Sequence, residues 1–237
     1  MNITRTLLAV SLTLTAGAIS AEPSKFNGLF GQVGIGYESA NPTSVSGTLS
    51  VNNRSSPVNP NFSSSNSFAG TATIGWYQDI AKGFLIGVGA EYSPFEGSKS
   101  DMSVSSNIRA PGQNNLRNDY QWQKKDSYNI FISPAMIVGT DGLAYAKIGF
   151  TGAKATEYIS TQSGRGLDYN FTGYSLGLGY KHMFASGWYG FVEFNYADYG
   201  SQTKSASNPL PGNRTLTSSG TNGLQTYNGL VGIGYKF

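Results

Sequence analysis

The chain has 237 residues, of which only 12% are charged, about half the share of an average soluble protein, and it contains 31 glycines, 15 tyrosines and 13 phenylalanines. A formal net charge of +3 argues against a nucleic-acid partner, and the absence of cysteine excludes disulfides and thiolate chemistry. A mean hydropathy of −0.24 argues against a bundle of membrane-spanning helices.

The N-terminal segment, residues 1–21, has the pattern of a secretory signal peptide. Arg5 precedes a short apolar run, and small residues follow it up to Ala21. The apolar run is too short for a transmembrane anchor, so we predict cleavage after Ala21, although Ala18 also satisfies the small-residue rule. The mature domain would then span residues 22–237.

Apolar residues at every second position, separated by glycine and small polar residues, recur in eight segments of the mature chain. This period predicts β-strands with one apolar and one polar face. Short turns and long polar connections alternate between the segments, so we expect exposed loops there, the first of them mobile. Pro134 lies inside the fourth segment and predicts a β-bulge, because proline cannot donate to a strand ladder. The strands are predicted at 28–38, 68–78, 84–94, 126–138, 143–154, 170–182, 188–196 and 227–237, and the long connections at 39–67, 95–125, 155–169 and 200–224.

The last predicted strand has an apolar face that carries aromatic residues at both ends. This face consists of Tyr227, Gly229, Val231, Ile233, Tyr235 and Phe237. The pattern resembles the final strand of the small bacterial outer-membrane β-barrels of the OmpA, OmpX and opacity-protein type, and the resemblance covers nearly the whole mature chain. It implies that the barrel-assembly machinery reads this strand as its signal, through Tyr227, Val231, Ile233, Tyr235 and Phe237. Since the chain stops at Phe237, we expect no periplasmic domain after the barrel.

The polar face of the predicted strands decides between a soluble and a membrane barrel. That face is mostly Gly, Ser, Thr, Asn and Glu, which is too small and polar for a dry core, so the apolar face should point outward into lipid. Outward aromatic residues cluster at both strand ends, as expected at two membrane interfaces. We therefore predict an all-β, eight-stranded, antiparallel up-and-down transmembrane β-barrel in the bacterial outer membrane, acting as a monomer. The outer aromatic girdle would be Tyr37, Phe68, Tyr92, Tyr128, Phe150, Tyr174, Tyr196 and Tyr227, and the inner one Trp76, Phe84, Tyr180, Trp188 and Phe237.

Charged residues on the inward face predict an ionic network in the lumen. Glu91, Lys147 and Glu193 lie on the third, fifth and seventh strands at similar heights, and Lys181 could join them. An eight-stranded barrel is narrow enough for such side chains to meet. We expect Tyr145, Tyr189 and Asn129 to be their hydrogen-bond partners. The network would either be a structural plug or the gate of a narrow pore, and we favour the plug.

The remaining polar residues indicate surface contacts rather than catalysis. His182 is the only histidine, and it faces outward at the short-turn end without an adjacent carboxylate, so we predict no catalytic or metal site and no cofactor. Basic residues near the outer girdle could contact lipopolysaccharide phosphates. The resemblance implies that the long loops bind host surfaces. Our first hypothesis is a closed surface protein that presents these loops for adhesion, ligand binding or envelope integrity. A narrow pore for small solutes, gated by Glu91, Lys147 and Glu193, is the alternative, and a lipid-modifying enzyme is third. The basic residues near the outer girdle, which could contact lipopolysaccharide phosphates, include Arg54, Arg109, Arg117, Lys124, Lys125, Arg165, Lys204 and Arg214.

Overall fold

A computed structural model describes residues 23–51, 54–106, 117–159, 166–210 and 214–237. Within these ranges the regular structure is entirely β. No helix in them is long and apolar enough to cross a membrane. The strands are β1 (Gly28–Val51), β2 (Arg54–Phe62), β3 (Ser65–Ala81), β4 (Phe84–Ser93), β5 (Ser100–Ser106), β6 (Arg117–Val138), β7 (Gly142–Ile159), β8 (Gly166–Met183), β9 (Trp188–Leu210) and β10 (Arg214–Lys236).

Eight of these strands close into a ring. Its order is β1, β3, β4, β6, β7, β8, β9 and β10, and every neighbouring pair is antiparallel. The pairing of β1 with β10, from Phe30 opposite Lys236 upward, closes the barrel. The predicted eight-stranded up-and-down barrel is confirmed.

Three hairpins define one end of the barrel, which we call the turn end. They connect β3 to β4, β6 to β7 and β8 to β9, and each contains a glycine with positive φ: Gly83, Gly139 and Gly187, at 77°, 67° and 76°. A side chain at these positions would be strained, since only glycine adopts this conformation readily. The turns therefore lie where the sequence predicts them.

At the opposite end, two strands leave the ring and two others replace them. β3 begins at Ser65 and β4 ends at Ser93, whereas β1 continues to Val51 and β6 begins as early as Arg117. β2 pairs with the extension of β1, β5 pairs with β2, and β6 pairs with β5. The barrel thus continues into a second tier of strands.

The second tier has a seam between β8 and β9. Their backbone pairing within the described residues stops at Tyr174 and Asp198. Beyond that point two side chains of β9 cross the seam, because Gln202 donates to the Asn170 carbonyl and Lys204 to the Asp168 carbonyl.

The polar connections were predicted as loops, and that prediction was wrong for most of their length. β1 and β2 occupy much of 39–67, β5 and β6 much of 95–125, β7 and β8 most of 155–169, and β9 and β10 most of 200–224. A segment can form a strand without burying apolar side chains, provided that its backbone groups find hydrogen-bond partners. The ring strands supply these partners. Cross-strand hydroxyl pairs add to the ladder of β9 and β10. These pairs are Thr203 with Thr221 at 2.7 Å, Ser205 with Ser219 at 3.0 Å, and Ser207 with Thr217 at 3.1 Å.

The bulge expected at Pro134 is not formed. Pro134 lies opposite Ile86 in an unshifted register with β4, and the register with β7 is the same before and after it. The hydroxyl of Ser133 donates to the Ala146 carbonyl at 2.8 Å. We attribute the regular register to this bond, because it supplies a donor next to the residue that has no N–H.

Aromatic rings fill the inside of the ring by lying across glycines of neighbouring strands. A Cβ at Gly87 would lie 2.5 Å from the Tyr77 ring, closer than any real contact. Bulky residues and glycines therefore alternate around the lumen, so that each large ring finds space against a glycine of the neighbouring strand. The other such pairs are Phe30 over Gly75, Phe131 over Gly89, Tyr145 over Gly179 and Tyr189 over Gly234.

Candidate functional site

The outside of the ring carries a continuous apolar surface. Val33, Ile130, Leu178 and Phe194 are each about 60% exposed or more. A soluble protein rarely exposes so large an apolar area, whereas lipid stabilises it. This surface, together with the charged and polar side chains buried inside the ring, identifies a barrel that faces lipid. Its other members are Ile35, Ile74, Val88, Ile132, Ile148, Leu176, Val231 and Ile233.

The residues predicted for the two girdles all lie on the outside. Tyr196 differs from the others in being half-buried, because its ring packs between Tyr174 and Tyr227 at centroid distances of 6.3 and 5.0 Å. The exposed members at the loop end are Tyr37, Phe68, Tyr92, Tyr128, Phe150, Tyr174 and Tyr227, and those at the turn end are Trp76, Phe84, Tyr180, Trp188 and Phe237.

The last strand, β10, places its predicted recognition residues at the closing seam. Tyr227, Val231, Ile233 and Phe237 are exposed on the outer surface. Tyr235 is half-buried, with its ring 5.1 Å from both Trp188 and Phe237. Their role as an assembly signal is a proposal.

The lumen contains the predicted ionic network. Lys147 is 2% exposed, and its ammonium lies 2.7 Å from Glu193 Oε1 and 3.0 Å from Glu91 Oε2. Glu193 is fully buried, and it also accepts bonds from Asn195 at 2.8 Å and from the Tyr145 hydroxyl at 2.7 Å. One ammonium thus joins two carboxylates across the barrel, and the hydrogen bonds around Glu193 offset part of the cost of burying the charges.

Lys181 lies at a different level from this network and makes no ion pair with a described carboxylate. Its ammonium lies 3.7 Å from the centroid of Phe30, and the rings of Tyr77, Tyr145 and Tyr189 surround it at 5.1, 5.2 and 4.8 Å. The electron-rich faces of these rings attract a cation. The expectation that Lys181 joins the carboxylates is therefore corrected: it occupies an aromatic cage.

Hydrogen bonds hold the three tyrosines of the cage in place. The Tyr77 hydroxyl pairs with Ser133 at 2.9 Å, that of Tyr145 donates to Glu193, and that of Tyr189 donates to Gln32 at 3.1 Å. Of the predicted network partners, Tyr145 bonds to Glu193, and Tyr189 accepts a long hydrogen bond of 3.5 Å from Lys181. Asn129 instead accepts from Ser175 at 2.8 Å.

The segment before β1 closes the turn end. Phe26 is 3% exposed, and its ring meets that of Tyr189 edge-on at 6.3 Å, directly beside the cage. Asn27 donates to Asp79 at 2.6 Å, and Lys25 forms an exposed ion pair with Asp141 at 2.6 Å. The segment before β1 thus packs over the lumen at this end.

A second buried ion pair lies nearer the end of the barrel that carries the second tier. The Lys124 ammonium binds both oxygens of Glu38, at 2.8 and 2.9 Å, and is 2% exposed. Sequence reasoning missed this pair because it placed Lys124 in a loop, although the inward phase of Glu38 was a usable signal. A polar chamber lined by Glu38 on one side and Glu91 on the other lies between this pair and the Lys147 network. It has about 460 Å³ of space, part of which is open to solvent.

The remaining candidates from the sequence are His182 and the basic residues near the outer girdle. His182 faces outward, and its ring nitrogen lies 3.5 Å from the Tyr180 hydroxyl; no hydrogen bond links it to a serine or carboxylate in the described part of the chain. The described residues contain no group of three His, Cys, Asp or Glu side chains placed to hold a metal. Arg109 and Arg165 lie outside the described residues, as does the predicted signal peptide.

No protein-family profile and no curated protein matches the sequence. Solved structures do match it. The outer membrane protein OprG from Pseudomonas aeruginosa aligns with a TM-score of 0.51 and 15% identity, over 90% of this chain and 98% of that one. Neisserial surface protein A aligns at 0.46 and 10%, over 92% and 100%, and the outer membrane protease OmpT from Escherichia coli at 0.48 and 7%, over 92% and 99%. At this identity the similarity to OprG concerns the fold, which is that of the small bacterial outer-membrane β-barrels.

Proposed function

We propose that this outer-membrane β-barrel is a closed surface protein, whose membrane-embedded ring holds a rigid second tier of strands on the cell exterior for binding ligands or partner surfaces. The observation that carries the proposal is the continuation of the ring strands beyond the outer aromatic residues. β1 runs about 14 residues past Tyr37, or roughly 45 Å of extended chain. We assign no catalytic role to the barrel.

Side chains buried at successive levels of the lumen support closure. The Phe26 segment, the Lys181 cage, the Lys147 network and the Glu38–Lys124 pair follow one another along the barrel. Each buried ammonium is shielded from water and depends on its protein partners. Moving an ammonium away from these partners would therefore cost free energy unless a new interaction compensated for the loss.

A narrow pore is the second candidate, and the polar chamber favours it. The chamber contains Glu91, which is 11% exposed and is thus the most accessible member of the Lys147 network. A pore would require the bond between Lys147 and Glu193 to open.

Planar-bilayer conductance of the refolded protein distinguishes the two. We expect no discrete current steps from protein whose folding is verified by its heat-modifiable migration on a gel. The matched variant is Glu91→Gln, which alters the chamber but leaves the bond between Lys147 and Glu193. Channel steps in the parent protein that change in size in this variant would overturn closure.

Surface exposure of the second tier is tested by cysteine labelling, because the natural chain has no cysteine. Ser205→Cys places a thiol on the second tier, and Lys82→Cys places one in the turn between β3 and β4; both positions are exposed. A membrane-impermeant maleimide should label the first in intact cells and the second only after the outer membrane is permeabilised. The reverse pattern would contradict the proposed orientation.

The proposal includes three partners. We expect Lys154, which is exposed just above the outer aromatic residues and lies 3.2 Å from Asp126, to contact a lipopolysaccharide phosphate. The exposed face of β10 would be read by the barrel-assembly machinery. The second tier would contact host or other extracellular molecules, with the protein acting as a monomer.

A further inference from the structure

Inside the second tier, just beyond the outer aromatic residues, lies a recess with apolar walls. It has about 390 Å³ of empty space, part of which is open to solvent. The walls come from β1, β6, β7, β8 and β10, through Pro42, Trp122, Ala155, Phe171 and Leu224. This recess takes no part in the closure of the lumen described above.

Aromatic residues form much of the wall. The Tyr169 and Phe171 rings lie nearly parallel, 5.7 Å apart and 6° from coplanar, and Trp122 is 7% exposed. The Trp122 indole N–H is buried without an acceptor among the described residues. Such walls suit a compact aromatic or alkyl group.

A single carboxylate gives the recess its charge. Glu157 accepts a hydrogen bond from the Tyr169 hydroxyl at 3.0 Å, and the described residues place no Lys or Arg within ion-pair distance of it. Burial raises the pKa of the Glu157 carboxyl, whereas the field of Lys204 acts in the opposite direction. An incoming cation would therefore relieve the cost of ionising this group.

Lys204 occupies the neighbouring space without neutralising Glu157. Its ammonium donates to the Asp168 carbonyl across the β8–β9 seam and lies 4.6 Å from the Tyr169 ring centroid. It is thus held by a carbonyl and a ring face, close enough to repel a second cation.

We propose that the recess binds a small protonated amine with an aromatic or apolar body. The ammonium pairs with Glu157, and the body packs against Trp122, Phe171 and Leu224. Exposure of the site on the cell surface rests on the proposed function, but binding to the isolated barrel does not.

The test uses refolded protein in nonionic detergent at pH 8, with phenethylammonium as the probe and 2-phenylethanol as its neutral control. Trp76 and Trp188 lie on the lipid-facing surface, so the fluorescence change lost in Trp122→Phe reports on the recess. We expect saturable binding of the amine, at least roughly tenfold tighter than the alcohol, as a charge-assisted bond predicts. Equal affinities, or no saturable change, would overturn the proposal.

Two variants with opposite expected effects on amine binding distinguish charge recognition from a general loss of structure. Glu157→Gln should abolish the preference for the amine, whereas Lys204→Met should strengthen amine binding by removing a nearby positive charge. In the parent protein, affinity should rise as the pH increases through the raised pKa of Glu157. Weaker amine binding in both variants would refute the assignment. Failure of the cell-surface labelling alone would reject the proposed orientation and leave the binding site intact.

Discussion

Replacing Glu193 by glutamine should strongly destabilise the barrel while leaving its shape nearly unchanged. The amide can still meet Tyr145 and Asn195, so the main loss is the negative charge 2.7 Å from Lys147. Removing one partner of a buried pair costs about 3–5 kcal/mol. Lys147 retains Glu91 at 3.0 Å, which places the expected loss near the lower limit, about 3 kcal/mol.

This loss can be measured by urea unfolding of the refolded protein in detergent or lipid vesicles. With a slope of about 2 kcal/mol per molar urea, the midpoint should fall by roughly 1.5 M. Glu91→Gln is the matched control, because it acts on the same ammonium from a position that is 11% exposed, and it should cost about 1 kcal/mol. Lys147→Met, which leaves two buried carboxylates without a cation, should cost more than Glu193→Gln. If Glu91→Gln proves as costly as Glu193→Gln, Glu193 is not the buried anchor of the network.

Four further outcomes follow from the structure. Lys181→Met should leave the unfolding midpoint nearly unchanged or raise it, because an apolar chain of similar length replaces a cation that has no carboxylate partner. Lys181→Ala should lower the free energy of unfolding by about 2–5 kcal/mol, because it leaves a cavity. Equal losses in the two variants would argue against the cage. Gly87→Ala should destabilise the barrel by about 1–3 kcal/mol in the same assay, because the added Cβ would collide with the Tyr77 ring. Gly190→Ala should be nearly neutral, because the nearest atom to its Cβ would be 3.8 Å away. Ser133→Ala should cost about 1–2 kcal/mol, and the cost should be smaller in a Pro134→Ala background that restores a backbone donor; an unchanged cost would reject the compensating role of Ser133. The hydrogen bond from Lys25 lowers the pKa of the Asp141 carboxyl. The stability that this pair contributes is therefore present above the ordinary pKa of 3.8 and is lost as the pH falls through the lowered pKa. Limited proteolysis of residues 23–27 should show this pH dependence, and Lys25→Ala should remove it.

The position of each ring strand could be predicted because its side chains alternate between lipid and lumen. Val231 and Ile233 on one side and Gly232 and Gly234 on the other specify a two-faced strand without reference to any neighbour. The inward phase of Glu91, Lys147 and Glu193 follows from the same rule, and the structure shows these three side chains in contact.

The second tier could not be predicted in this way. Ser205 and Thr203 lie in segments without apolar alternation, and their strand conformation depends on backbone and hydroxyl partners contributed by β10. Composition indicates whether a segment can bury a core, but a ladder at the edge of an existing barrel needs no core.

The sequence by itself determined the barrel, its two faces and the residues that point into the lumen, because a period of two is a local property of the chain. Only the tertiary structure decided which inward groups meet. Lys181 is two residues from Gly179, which pairs with Glu193, yet its ammonium lies among four rings from four other strands rather than beside that carboxylate. Lys124 likewise reaches Glu38, 86 residues away, through the closure of the ring. Such contacts depend on the stagger and width of the closed barrel, which no single strand encodes.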